Sequence, residues 1–315
     1  MKLYFQSHSI LKGRQAFTDM NARYETCYTV QCFILFFLIV CFSVFPACAY
    51  ARVFKAEIVP DEVTQGGVFI IRVTDLKTEK LLTASLAEKS FQFTGCGEGC
   101  FLAIGAVDIN TKPGIYDVGL KVEEKKIALK LTVKDTIFPT QKLTLPDEKV
   151  FLSEDNLKRV ERENLTLKSI FQQVSERLWE GDFVMPLENE ISTVFGVKRI
   201  INREKISVHK GLDIRGKEGE KIRASNSGKV VFAGELFFGG NTLILDHGQG
   251  IYTLYMHLSD FKVNNEEVVS KGEVIGSVGS TGRATGPHLH FGVKVMDISV
   301  SPLSLIELKL LTESI

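Results

Sequence analysis

The strongest constraint on this chain is a period-2 alternation of apolar and polar residues, cut by turns about every ten residues, in both halves of the sequence. From Arg52 to Thr136 it reads VFIIRVT, SFQFTG, FLAIGAVDI, GIYDVGLKV and KIALKLTV. From Phe183 it returns as KIRASNSGKVVFAGE, NTLILDHGQGIYTLYMHL, EVVSKGEVIGSVG and HLHFGVKV. Successive side chains of a strand point to opposite faces, so such runs predict half-buried strands joined by tight turns. The expected fold class is therefore mainly β, and 26 glycines with a single tryptophan suit a turn-rich β protein. Residues 52–136 predict an immunoglobulin-like antiparallel β-sandwich. Residues 183–303 predict a second, all-β domain, with 304–315 as a C-terminal tail. Between them, 137–182 reads as an extended linker followed by a helix. SEDNLKRVERENLTLKSIFQQVSERLW (153–179) places Leu157, Val160, Leu167, Phe171, Val174 and Leu178 at helical spacing behind a Ser153 cap, predicting one amphipathic helix.

Ahead of the strands, CFILFFLIVCFSVF (32–45), Pro46 and ACAYA (47–51) form an apolar core followed by small residues. That is the pattern of a secretory signal cleaved after Ala49 or Ala51, and Met20 offers a shorter start. Two other readings stay open. Cys32 to Ala51 is just long enough for an uncleaved anchor, giving membrane anchoring through residues 30–51, and Cys48 is a lipidation candidate although FPAC lacks the leucine of a lipobox. Residues 1–51 are thus a signal peptide or membrane anchor, and each reading sends the remainder out of the cytoplasm: periplasmic, attached to the cell envelope, or secreted. Cys96 and Cys100 in TGCGEGC are expected to form a small-loop disulfide rather than a metal site, which would normally need four ligands. With 38 basic and 38 acidic residues the chain has no bulk field for polyanions, so no nucleic-acid partner is expected.

Five of the six histidines fall in 183–303. In GPHLHFGV (286–293), strand parity puts His288, His290 and Gly292 on one face and Leu289, Phe291 and Val293 on the other. If the apolar face meets a core, both imidazoles point into an open or polar space. In SVHKGLDIRG (207–216), His209 and Asp213 share a parity if the segment is extended. An imidazole, a carboxylate and a histidine from elsewhere make a three-ligand zinc site with a free position for water, whose pKa falls to about 7 there. The alternative, a turn aspartate and a surface histidine, fits that segment better when it is taken on its own. In YTLYMHLSD (252–260), alternation groups Tyr252, Leu254, Met256 and Leu258 on one face and Thr253, Tyr255 and His257 on the other. His257 then lies on a polar face, either structural or positioned to act on water or an oxyanion. His247, in the D-H-G of LDHGQGI, reads as a turn histidine satisfied locally.

With these flanks and in this order, H-x-x-x-D, YMHL and TGRATGPHLHF resemble the lysostaphin-like (LytM-domain) zinc metallopeptidases, which cut peptide bonds in bacterial peptidoglycan. The resemblance covers 183–303, and LTLPDEKVFL with the following helix is similar to the region preceding that domain in many bacterial members. It implies a small antiparallel domain with a groove over one Zn2+, ligated by His209, Asp213 and His290. His257 and His288 match the histidines beside the metal-bound water, acting as general base or stabilising the tetrahedral intermediate. The implied activity is that of an exported metalloendopeptidase acting on peptidoglycan peptides, in cross-links or stem peptides. The immunoglobulin-like domain would position the catalytic domain or hold a cell-envelope protein partner. The alternative is a non-catalytic LytM-type regulator that binds and activates other cell-wall hydrolases, although all five positions are retained here. VFGVKRIINREKISVHKG departs from the commonest pattern of the family, which leaves the groove wall and substrate preference open. The chain has no H-E-x-x-H helix, so no thermolysin-type glutamate base is expected. No histidine follows His290, as an H-x-H oxygenase would need, and no lysine sits at the VVSKGEVIGSVG hairpin tip, as a biotinyl carrier would need.

Overall fold

The structure, a computed structural model, describes residues 54–76, 82–144, 151–203 and 205–310. The signal or anchor reading of 1–51 lies outside them. No helix among the described residues is long and apolar enough to cross a membrane.

The N-terminal half contains β1 (Lys55–Val59), β2 (Glu62–Thr64), β3 (Val68–Thr74), β4 (Leu82–Leu86), β5 (Lys89–Phe91), β6 (Thr94–Gly97), β7 (Cys100–Ala106), β8 (Gly114–Val122) and β9 (Lys125–Lys134). They form two sheets, β1-β3-β7-β6 and β2-β9-β8-β4-β5. One pair departs from the antiparallel expectation: β2 runs parallel to β9. Cys96 and Cys100 are disulfide-linked across the β6–β7 turn. Phe69, Ile71 and Val73 of β3 point between the sheets and meet Val118, Leu120, Val122, Leu131 and Val133.

The other face of the first sheet is not solvated. Val68 and Ile70 of β3, with Leu102, Ile104 and Ala106 of β7, enter a second core shared with Trp179, Phe183 and the C-terminal strands. VFIIRV is therefore buried along its whole length, as expected of a strand covered on both faces rather than one. Sequence boundaries suggested two domains and a tail. The first sheet is a middle layer, with the second sheet on one face and the C-terminal half on the other.

The chain continues through β10 (Thr140–Leu143), α1 (Glu154–Phe171), β11 (Ile191–Thr193), β12 (Lys198–Ile201), β13 (Lys205–Val208), β14 (Leu212–Arg215), β15 (Lys221–Arg223) and β16 (Gly228–Leu236). It ends with β17 (Gly240–Gly248), β18 (Ile251–Phe261), β19 (Val268–Val269), β20 (Val274–Val278), β21 (His288–Val295), β22 (Ile298–Val300) and α2 (Pro302–Ile306). The main sheet follows the order β11-β14-β21-β18-β17-β16-β19, and β10-β12-β13 form a small sheet beside it.

Ser153 caps α1, its hydroxyl accepting from the Asn156 N–H at 3.3 Å, and Glu154 and Asp155 suit the positive first turn. The helix stops at Phe171 instead of running to Trp179, because residues 175–179 have better partners. The His247 carbonyl accepts from the Leu178 and Trp179 N–H groups at 2.8 and 3.2 Å, and the Gln249 N–H donates to the Ser175 carbonyl at 2.9 Å. Gly248 permits that approach: a Cβ there would lie 2.0 Å from the Glu176 carbonyl oxygen. The Tyr252 hydroxyl lies 2.9 and 2.8 Å from the carbonyls of Ile170 and Gln173, serving the orphan acceptors of the helix end.

Residues 304–310 of the expected tail also contribute to the core. Leu305, Leu308 and Leu310 are buried in the shared cluster. Ser304 Oγ accepts from the Val68 N–H at 2.9 Å, and Asp182 Oδ1 accepts from the Leu310 N–H at 2.9 Å. These leucines make 305–310 a seal over the seam between the halves.

Candidate metal centre and groove

Three neighbouring strands and one loop assemble the centre. In the β14–β21 register Asp213 lies opposite His290 and Arg215 opposite His288. In the β18–β21 register Met256 lies opposite His290. His209 precedes β14 in a loop tied to the Val197 carbonyl through its N–H at 2.9 Å. His209 Nε2, Asp213 Oδ1 and His290 Nδ1 form a triangle with sides of 2.9, 3.0 and 2.8 Å.

Proton placement shows what this triangle is for. His209 Nδ1 lies 2.8 Å from the Val194 carbonyl, which can only accept, so Nδ1 carries the proton and Nε2 presents a lone pair. Asp213 is a carboxylate: burial would raise its pKa, but contacts with His209 and His290 hold it well below the usual range. With both rings neutral, at most one proton, on His290 Nδ1, lies among the three facing atoms, and burial pushes His290 below the ordinary imidazole value, against the opposing pull of Asp213. Such convergence of lone pairs fits a divalent cation; tetrahedral zinc with N and O bonds of about 2.1 Å would spread these atoms to about 3.4 Å. Among the described residues these three form the one cluster able to hold a metal. Gly211 leaves room for it, since a Cβ there would sit 2.7 Å from His290 Nε2 and 2.5 Å from the Phe291 carbonyl oxygen.

The structure brings His257 and His288 to the same place. Their ring centroids are 4.8 Å apart, and His288 Nε2 is 3.8 Å from Asp213 Oδ1. His257 Nδ1 donates to the Thr281 carbonyl and His288 Nδ1 to the Gly286 carbonyl, both at 2.8 Å, leaving each Nε2 bare in the neutral ring. Burial, then the charges of His288 and His290, lower His257 to about 3.

Simple alternation assigned His257 to the face of Thr253 and Tyr255, but that face is the buried core. A bulge corrects the direction. His257 adopts a left-handed conformation, φ 65°, and the register shifts just beyond it, between Leu258 and Asp260. Met256 and His257 therefore both leave the core, while Leu258 returns to it. His247 lies outside the centre, fully buried at the end of β17, with Nδ1 bonded to the Ser227 carbonyl at 2.8 Å and Nε2 2.7 Å from Thr253 Oγ1.

Two arginines escaped the sequence reading. Arg199 Nη2 donates to Asp213 Oδ2 at 2.5 Å, orienting the carboxylate so that Oδ1 faces the two imidazoles. Arg283 lies in the loop before β21 and, with Arg199, His257 and His288, lines a cleft of about 420 Å³. The available signals were a charge within the alternating VKRII run and a lone charge in TGRATG.

Residues 207–302 match the family described as Peptidase family M23. The chain carries an M23 peptidase domain. A DD-carboxypeptidase/endopeptidase Mpg of Neisseria meningitidis serogroup B is 41% identical over 114 residues, which is 36% of this chain and 26% of that relative. The murein hydrolase activator NlpD of Escherichia coli is 34% identical over 119 residues, 38% of this chain and 29% of that relative. The chain thus spans about a quarter of the length of these curated relatives. A solved Pseudomonas aeruginosa structure assigned to peptidase M23 aligns with a TM-score of 0.60 and 27% identity, covering 77% of this chain and 94% of that one. That likeness extends well beyond the M23 domain, to the layers packed against it.

Proposed function

We propose that this chain is an exported bacterial zinc metalloendopeptidase that hydrolyses peptide bonds of peptidoglycan, in cross-links or stem peptides. The observation that carries the reading is the pair of bare Nε2 atoms, on His257 and His288, beside the His209–Asp213–His290 triangle. Zinc held by those three residues would supply the Lewis acidity that lowers the pKa of water to about 7 and polarises a carbonyl. His257, its Nδ1–H fixed on Thr281, accepts a proton from the attacking water at Nε2. His288 stands across from it and, once protonated, donates to the developing oxyanion and then to the leaving amine. Arg199 holds Asp213 in a single orientation throughout. Residues 1–51 direct export as a signal peptide or anchor, and the sandwich aims the groove or holds a cell-envelope partner.

A second reading, a regulator that binds and activates other cell-wall hydrolases, draws on the similarity to NlpD. Digestion of purified sacculi by the zinc-loaded protein, followed by mass spectrometry of released fragments, separates the two. Fragments with new peptide ends, abolished by chelation, support the peptidase. Zinc bound at one per chain with no fragment released would sink it and favour the regulator.

A further inference from the structure

Four fully charged side chains line the groove, Arg199, Asp213, Arg215 and Arg283, three cations against one carboxylate. That carboxylate is already committed to the metal triangle through Oδ1 and to Arg199 through Oδ2. Arg215 has its own partner, Glu190, at 3.2 Å. Arg283 does not. Among the described residues no carboxylate pairs with its guanidinium.

Its position is nonetheless fixed. The guanidinium carbon lies 4.2 Å from the Phe238 ring centroid, and the Arg283 N–H donates to the Phe238 carbonyl at 2.9 Å. Gly282 and Gly240 lock the loop onto the β16–β17 turn: a Cβ on Gly282 would lie 2.2 Å from the Gly240 nitrogen, and one on Gly240 2.4 Å from Thr281. Burial and then the charge of Arg199 push Arg283 below its ordinary value. A cation held half-buried beside another cation, with no counter-ion among the described residues, carries a cost in the free state. A planar guanidinium also presents parallel donors matched to a carboxylate.

We propose that Arg283 is a specificity residue that binds a free carboxylate of the peptide substrate next to the bond cut at the metal centre. The proposal deepens the peptidase reading and rests on it for the identity of the ligand. Two sources share this chemistry, the C-terminal carboxylate of a stem peptide and the side-chain carboxylate of a diamino acid within it.

The test uses the full chain loaded with zinc and three synthetic stem pentapeptides: C-terminal carboxylate amidated, side-chain carboxylate amidated, or both amidated. Hydrolysis is followed as kcat and KM, and binding of the same peptides is measured by calorimetry on the His288→Ala protein. One peptide with a free carboxylate should be preferred over the doubly amidated one by about 10- to 100-fold, mostly in KM. Which amidation abolishes the preference names the carboxylate. Arg283→Gln should bring the three peptides to one level, and Arg283→Lys should retain part of the preference. Equal handling of all three by the unmodified protein, or an Arg283→Gln protein weakened equally toward all three, overturns the proposal. If nothing is hydrolysed but binding discriminates and Arg283→Gln removes the discrimination, the peptidase reading fails while the carboxylate site stands.

Discussion

Strand β18 has a buried polar cluster on each face, and the two clusters are built on opposite plans. On the core face, the Ser225 N–H reaches the Tyr255 hydroxyl at 2.9 Å, which lies 3.0 Å from Thr253 Oγ1. Thr253 in turn lies 2.7 Å from His247 Nε2, and His247 Nδ1 donates to the Ser227 carbonyl at 2.8 Å. Protons running one way along this chain satisfy every donor and acceptor, as buried polar groups require. On the groove face, lone pairs of the neutral His209 ring, Asp213 and His290 converge, and the Arg283 guanidinium meets no carboxylate among the described residues. A complete network holds a fold together. An incomplete one, held as rigidly, is made to receive something.

The sharpest way to break this contrast is to remove a ligand. His290→Ala should lose its metal and with it peptidase activity by at least about a thousandfold, checked by metal stoichiometry and peptide hydrolysis. Next, His288→Ala and His257→Ala should each cost about a hundred- to ten-thousandfold in kcat while keeping one metal per chain. Equal metal loss in the His288→Ala and His290→Ala proteins would erase the division of roles between them. On the core face the expectation reverses: His247→Ala should keep the metal and the activity of the folded fraction. Urea denaturation should find it less stable by about 1–3 kcal/mol, from the unsatisfied Thr253 and Ser227 groups.

The last effect is one of pH. Burial lowers His247 to about 4, opposed only in part by its bond to Ser227. The unfolded chain, with an imidazole near 6.5, binds the extra proton first, so stability falls as pH drops from about 6.5 towards 4. The loss approaches about 1.4 kcal/mol per pH unit, and His247→Asn should flatten the stability curve by that slope over this window. Superimposable slopes for the two proteins would place the acid sensitivity elsewhere.

The strand pattern of both halves was legible because alternation and turn residues report burial directly, and His209 could be paired with Asp213, and His288 with His290, because each spacing is local; joining the two pairs took the family resemblance. What escaped was set by contacts distant in sequence. His257 needed a bulge and a positive φ to leave the core, and no two-residue period encodes that. α1 kept helical spacing through Leu178, yet the β17–β18 turn claims the last residues. VFIIRVT was read as half-buried because nothing local announces a second covering layer. Arg199 and Arg283 acquire meaning only when folding brings both to one cleft.

That second layer matters for how the protein could be handled and how it could evolve. Cutting the chain between the sandwich and the M23 domain would strip Val68, Ile70, Leu102 and Ile104 from the face they cover, leaving two sticky halves rather than two modules. The sandwich cannot be exchanged like a bead on a string. Any molecule that grips it also turns the groove.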